Sequence, residues 1–168
     1  MSTVHAARPE TAGSWRFDIR EARTGGERVA RVHLAQWTRE GSIRVGEIPF
    51  GLKREGMGRT YRLLFEGRAM ARAEPEGPLS NTLGIRVERG LLEAGAEIGD
   101  LARFAWVPKN LSGTAYDLRT GGETVGSIRK TSVLFRRFSL RFDREIPLVI
   151  RAFCLALLLA RLRQSSGG

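Results

Sequence analysis

Ile146-Pro147-Leu148-Val149-Ile150-Arg151-Ala152-Phe153-Cys154-Leu155-Ala156-Leu157-Leu158-Leu159-Ala160-Arg161-Leu162 is the long apolar stretch of this chain. Its apolar residues occupy every helical phase, so the helix it predicts has no polar face and must be enclosed by protein or by lipid. A membrane span needs about 20 apolar residues; Leu148 to Leu162 falls short of that, and Arg151 interrupts the run near its start. At 1.5 Å per residue the stretch reaches roughly 22 Å, less than a hydrocarbon core but suited to the interior of a small β-barrel. Helix-end signals flank it. Pro147 suits a first turn, Asp143 and Glu145 lie by the positive N-terminus, and Arg161 and Arg163 lie by the negative C-terminus. The reading is a buried core helix over about residues 147–162.

Working outward, the residues before it alternate with period two. Trp15, Phe17 and Ile19 are interleaved with Arg16, Asp18 and Arg20. Tyr61, Leu63 and Phe65 follow the same rule, although Leu64 breaks the phase. Leu83-Ile85-Val87, Ala102-Phe104-Trp106, Tyr116-Leu118 and Phe138-Leu140-Phe142 continue it. Such strands cover a core on one face and meet water on the other. Turn residues recur every 8 to 12 positions, as in a barrel or sandwich. Thr24-Gly25-Gly26-Glu27-Arg28-Val29-Ala30-Arg31-Val32 is repeated as Thr120-Gly121-Gly122-Glu123-Thr124-Val125-Gly126-Ser127-Ile128, with a weaker copy at Glu66 to Ala73. Gly-Gly between strands is a two-residue hairpin turn. Ala30, Ala71 and Gly126 are small where another backbone or the central helix is expected to pass close. Residues 1–13 read as a flexible lead-in without a secretory signal, and 165–168 as a flexible tail.

The 168 residues make one domain, 42% hydrophobic, with a formal net charge of +10. Only Lys53, Lys109 and Lys130 are lysines among the 28 basic residues, and arginine supplies the rest. That charge favours polyanionic partners: nucleic acid, an anionic membrane face or an acidic protein. The basic residues are spread from Arg8 to Arg163, so no basic arm stands out. Cys154, alone and inside the apolar run, can form no intramolecular disulfide and reads as a small buried hydrophobe. A cytoplasmic protein is expected.

Catalytic apparatus is sparse. His5 and His33 are distant from each other, no nucleophile-elbow pattern occurs, and no acidic loop has calcium spacing. No enzyme activity, metal or cofactor is expected. Two basic candidates remain. Gly51-Leu52-Lys53-Arg54-Glu55-Gly56-Met57-Gly58-Arg59-Thr60 has the glycines and cations of an anion-cradling loop but lacks Walker spacing, and a mobile solvated loop between strands is the simpler account. Arg129-Lys130 with Arg136-Arg137 is the second, where guanidinium groups on an outer strand face can hold phosphate bidentately. The aromatics keep strand phase with the aliphatics, which assigns them to the core rather than to an exposed stacking platform.

Tyr116-Asp117-Leu118-Arg119, Thr124-Val125-Gly126-Ser127-Ile128-Arg129-Lys130 and Phe138-Ser139-Leu140-Arg141-Phe142, leading through Ile146-Pro147 into the apolar helix, resemble the C-terminal half of the tubby-like superfamily. That superfamily includes tubby C-terminal domains, phospholipid scramblases and LURP-one-related proteins. The resemblance covers about residues 114–163. It implies a mainly β fold: a closed antiparallel barrel of about twelve strands, spanning 14–164 and threaded by its apolar helix. Tubby domains bind phosphoinositides through basic residues on the barrel. Scramblase-like members carry a cysteine-rich segment and an acidic calcium-binding stretch, neither of which is present here.

The leading expectation is a non-enzymatic barrel that binds anionic lipid headgroups, or another polyanion, through Lys53, Arg54, Arg59, Lys130, Arg136 and Arg137, peripherally at a membrane. Nucleic-acid binding ranks below it, because neither a recognition helix nor an exposed aromatic platform is visible. A scaffold that docks a protein partner is the third expectation.

Overall fold

A computed structural model of the chain describes residues 2–22, 26–35, 40–88 and 103–166. Twelve antiparallel strands among them form a closed barrel: β1 (Ser2–Pro9), β2 (Arg16–Glu21), β3 (Arg28–Leu34), β4 (Glu40–Val45), β5 (Ile48–Glu55), β6 (Thr60–Phe65), β7 (Arg68–Pro75), β8 (Leu83–Val87), β9 (Arg103–Pro108), β10 (Ala115–Thr120), β11 (Glu123–Lys130) and β12 (Phe138–Asp143). Each strand pairs with its sequence neighbours, and β1 pairs with β12 to close the ring. A single helix among the described residues, α1 (Leu148–Ser166), follows β12.

Consecutive burial from Val149 to Leu159, at every helical phase, places α1 inside the barrel. Its side chains join one core cluster with the inward strand residues, among them Phe17, Ile19, Val32, Ile43, Leu63, Ile85, Leu118, Ile128 and Leu140. A fully buried leucine contributes about 1.5–3 kcal/mol, so a helix buried along this length is the main hydrophobic element of the fold. No described helix is long and apolar enough to cross a membrane.

Two expected boundaries are corrected. The supposed lead-in contains β1, whose residues pair with β12 from Ser2↔Asp143 to Ala7↔Phe138 and with β2 from His5↔Glu21 to Pro9↔Phe17. Its inward positions are His5 and Ala7, too weakly apolar to announce a strand; two long-range pairings hold it. The helix also runs past 162, through the start of the supposed tail. Ser165 and Ser166 donate from their hydroxyls to the carbonyls of Arg161 and Leu162 at 3.1 and 2.8 Å. Residues 167 and 168 lie outside the described residues.

The sequence repeat recurs every four strands, at β2–β3, β6–β7 and β10–β11. Register shifts fall at Ile19/Arg20, Leu63/Leu64 and Leu118/Arg119, each just before the repeated turn. A bulge of this kind strengthens twist and explains why Leu64 breaks strand phase. The third copy's turn, Gly121-Gly122, has φ of 55° and 85°, which glycine adopts freely. Gly126 is small for a reason other than the expected one. It faces Phe142 across β11–β12, and a Cβ there would overlap that ring.

Arg151 enters the barrel with the helix and is buried. Its Nε donates to the Ile146 carbonyl at 2.7 Å, Nη2 donates to the carbonyls of Asp143 and Arg144 at 3.2 and 3.3 Å, and Nη1 donates to the Thr3 hydroxyl. The guanidinium thereby ties the β12–α1 turn to β1.

Candidate functional site

Strand direction sorts the turns into two sets. The turns 10–15, 56–59, 76–82, 109–114 and 131–137 gather at the end where α1 finishes, here the exit rim. The helix starts at the opposite end, the entry rim. Lys53, Arg54, Arg59, Lys130, Arg136 and Arg137 all fall at the exit rim. They do not form one cluster. Lys53, Arg54 and Arg59 surround the β5–β6 turn, and Lys130, Arg136 and Arg137 surround the β11–β12 loop, six strands away around the barrel.

The glycine-rich stretch is less of a loop than expected. Gly51 to Glu55 belong to β5, where Gly51 pairs in register with Leu64 of β6. Lys53 is exposed beside buried Leu52. Arg54 folds back on its own turn, donating from Nε to the Gly58 carbonyl at 2.7 Å and from Nη2 to the Met57 carbonyl at 2.9 Å. It therefore staples the turn, with part of its donor set already used. Arg59 donates from Nη1 to Asn81 Oδ1 at 3.3 Å.

Arg136 lies with its guanidinium 4.3 Å from the Trp15 ring centre and 5.7 Å from that of Phe17. Burial pushes its pKa down, yet a guanidinium stays charged at any physiological pH. Arg137 is exposed, 5.1 Å from the Phe135 ring centre. Lys130 closes β11 opposite Phe138.

The helix end joins the two sectors. Arg161 donates to the same Asn81 Oδ1 as Arg59, at 3.1 Å, and Arg163 lies 5.4 Å from the same Trp15 ring as Arg136. Arg163 also donates to the Ala35 carbonyl at 2.5 Å, and Gln164 donates to the Tyr61 hydroxyl at 2.9 Å. By sequence alone Arg161 and Arg163 belong only to the helix dipole and Trp15 only to the core. Their spacing from the apolar run gave the helix end, and nothing local placed that end between two basic loops. Lys109 adds a further cation on the β9–β10 loop, paired with Asp117 at 3.4 Å.

Between the two sectors a narrow cleft is lined by Arg59, Tyr61, Trp106, Tyr116 and Arg161. Trp106 and Tyr116 stack with ring centres 5.0 Å apart, and Trp106 Nε1 and the Tyr116 hydroxyl have no hydrogen-bond partner among the described residues. Burial raises the Tyr116 pKa against the opposing charges of Arg161 and Arg59. The space is about 20 Å³, room for one water-sized group and far below a metabolite pocket.

A second basic feature runs along the outer wall. Lys53, Arg62, Arg72, Arg86 and Arg103 stand in direct cross-strand register from β5 to β9. Like charges placed opposite one another repel. Here Glu55 bridges Arg62 and Arg72, and Glu74 bridges Arg72 and Arg86. Much of this ladder is thus answered within the wall. No group of His, Cys, Asp and Glu suited to a metal occurs among the described residues.

No family model and no curated protein matches the chain. A solved structure does: the X-ray structure of a protein from Arabidopsis thaliana is similar with a TM-score of 0.63 at 10% identity, covering 96% of this chain and 91% of that one. At that identity the likeness establishes the fold, a closed barrel with its helix, and nothing about a ligand.

Proposed function

We propose that this chain is a non-enzymatic, tubby-like barrel that binds anionic lipid headgroups at its exit rim, as a peripheral membrane protein. The observation that carries the reading is the meeting of three basic sets at one end: the β5–β6 turn, the β11–β12 loop, and Arg161 with Arg163 on the helix end between them. Two of the nearby acids are engaged elsewhere. Glu10 pairs with Arg16 and Arg31, and Glu55 with Arg62 and Arg72. The rim therefore offers cations to an outside anion more readily than the outer-wall ladder does. Binding of this kind is electrostatic, gains about 1 kcal/mol per basic residue near the surface and is screened by salt.

The test is sedimentation with vesicles of phosphatidylcholine, alone or with phosphatidylserine and phosphatidylinositol bisphosphate. Lys53→Gln, Lys130→Gln and Arg137→Gln together remove exposed or rim-edge charge while leaving Arg54 and Arg136 to their structural contacts. A control carries Arg28→Gln, Arg68→Gln and Arg144→Gln at the entry rim. Loss of binding in the first variant and retention in the second supports the assignment. Equal loss in both reduces the effect to net charge, and tight binding of nucleic acid with no vesicle binding replaces lipid with a different polyanion.

A further inference from the structure

Exposed large apolar side chains are unevenly distributed. Met57, Leu79, Leu111, Val133, Leu134 and Phe135 all sit on exit-rim loops, with exposures from 53% for Phe135 to 106% for Leu111. Ile48 is the one such residue elsewhere among the described residues. The described entry-rim residues instead carry both signs of charge, including Glu27, Glu47, Glu66, Arg68, Arg144 and Glu145. Single exposed leucines are ordinary on any protein. Their gathering on four loops at one end, the same end as the basic residues, is not.

These loops hold the apolar residues outward by bonds at their bases. Thr131 donates to the Arg137 carbonyl at 2.8 Å and Arg137 to the Phe135 carbonyl at 2.9 Å, closing a neck below Val133, Leu134 and Phe135. Asn110 and Thr114 are bonded twice, at 2.9 and 3.0 Å, beneath Leu111. Ser80 donates to the Gly77 carbonyl at 3.1 Å around Leu79, and Arg54 clamps the carbonyls of Met57 and Gly58. Ordering is thus largely complete before any partner arrives, which lowers the entropic cost of contact.

Three of the four tips have a cation beside them in sequence, Arg59 by Met57, Lys109 by Leu111, and Lys130, Arg136 and Arg137 around Val133–Phe135, while Arg59 and Arg161 reach the Leu79 loop through Asn81. Apolar points ringed by cations match a layer that is anionic at its surface and apolar just beneath. The apolar residues lie on separate loops around the rim, not on one continuous face, and a fluid bilayer accommodates separated points. We infer that the barrel docks end-on, with the tips of its exit-rim loops inserted into an anionic membrane interface and the surrounding cations at headgroup depth. The inference rests on the lipid reading above and adds orientation and insertion to it.

The test attaches an environment-sensitive fluorophore to Leu134→Cys, to Leu79→Cys and, as the far-end control, to Glu47→Cys. Cys154 is fully buried and stays out of the labelling. Each labelled protein is titrated with vesicles of phosphatidylcholine containing phosphatidylserine and phosphatidylinositol bisphosphate, and then with the same vesicles bearing brominated acyl chains. A blue shift and bromine quenching at 134 and 79, with neither at 47, is the expected result. In unlabelled protein, Leu134→Ser with Phe135→Ser should weaken vesicle affinity at least about tenfold while leaving the salt dependence unchanged. Vesicle binding without quenching at 134 and 79 overturns insertion and leaves the electrostatic reading standing. Absence of vesicle binding overturns both, and self-association lost on Leu134→Ser and Phe135→Ser would then assign the tips to a contact between copies.

Discussion

Gly126→Ala is the substitution whose effect the packing specifies most closely. Gly126 faces Phe142 in register, and a methyl on its Cα would occupy the space of that ring. Phe142 is completely buried, so its ring has no solvent to swing into. Overpacking of this kind costs about 1–3 kcal/mol. Replacing glycine by alanine in a strand returns about 0.5–1 kcal/mol through the unfolded chain. Because the added Cβ would overlap the ring outright, the upper part of the overpacking range applies, about 2–3 kcal/mol. The net expectation is a loss of about 1–2.5 kcal/mol, or a fall in Tm of about 2–10 °C for a chain of this size. Urea unfolding followed by tryptophan fluorescence measures it, with an unchanged slope confirming that the native state stays compact. A second substitution isolates the cause. Phe142→Leu alone creates a cavity, but in its presence the new methyl has room, so the double variant should be more stable than the sum of singles by about 1 kcal/mol. A neutral Gly126→Ala, or a strictly additive pair, would refute the contact.

Leu158→Asp puts an unpaired carboxylate on the helix inside the barrel and should abolish the folded state, seen as loss of the cooperative urea transition; a folded variant would contradict the threaded helix. Truncation after Asp143 should likewise yield no folded β domain, judged by circular dichroism and proteolysis. The Cys154 thiol is fully buried, and burial pushes its pKa up, so it should react with a thiol reagent only after unfolding; reaction at the native-state diffusion rate would refute the enclosed core. His5 and His33 are both held below their ordinary value of 6.5, by burial and, respectively, by the charges of Arg151 and Arg16. The folded state therefore disfavours protonating them, so their contribution is full above about pH 6.5 and lost as pH falls below it. His5→Gln with His33→Gln should flatten urea stability across that window, and an unchanged pH profile would remove the two imidazoles from the account.

The architecture was legible because two signals are local. The apolar run announces a helix with no wet face, and period-two alternation announces strands with one. Together they require a sheet that surrounds a helix, and the barrel answers that requirement. β1 escaped because His5 and Ala7 carry little apolar signal and its stability comes from partners far away in sequence. The site was partly legible. Alternation says which face of a strand a side chain occupies but not which end of the barrel a turn occupies. In an up-and-down barrel alternate turns share an end, so each overlooked strand reverses the assignment of all that follow. The six basic candidates could therefore be chosen but not seen to share a rim. Nor could sequence show that Arg54 staples its own turn, that Arg136 lies over Trp15, or that Arg161 and Arg163 emerge between the two basic loops.

Lipid binding requires the exit rim to meet an anionic membrane surface, and flotation of the intact, detergent-free protein tests that most directly. Vesicles of phosphatidylcholine alone should leave it at the bottom of the gradient at any salt. Adding phosphatidylserine and phosphatidylinositol bisphosphate should carry it upward at low salt and less so at physiological salt, because headgroup attraction is screened over about 8–10 Å. A protein that ignores anionic vesicles at low salt, or that floats equally with neutral ones, would contradict the claim.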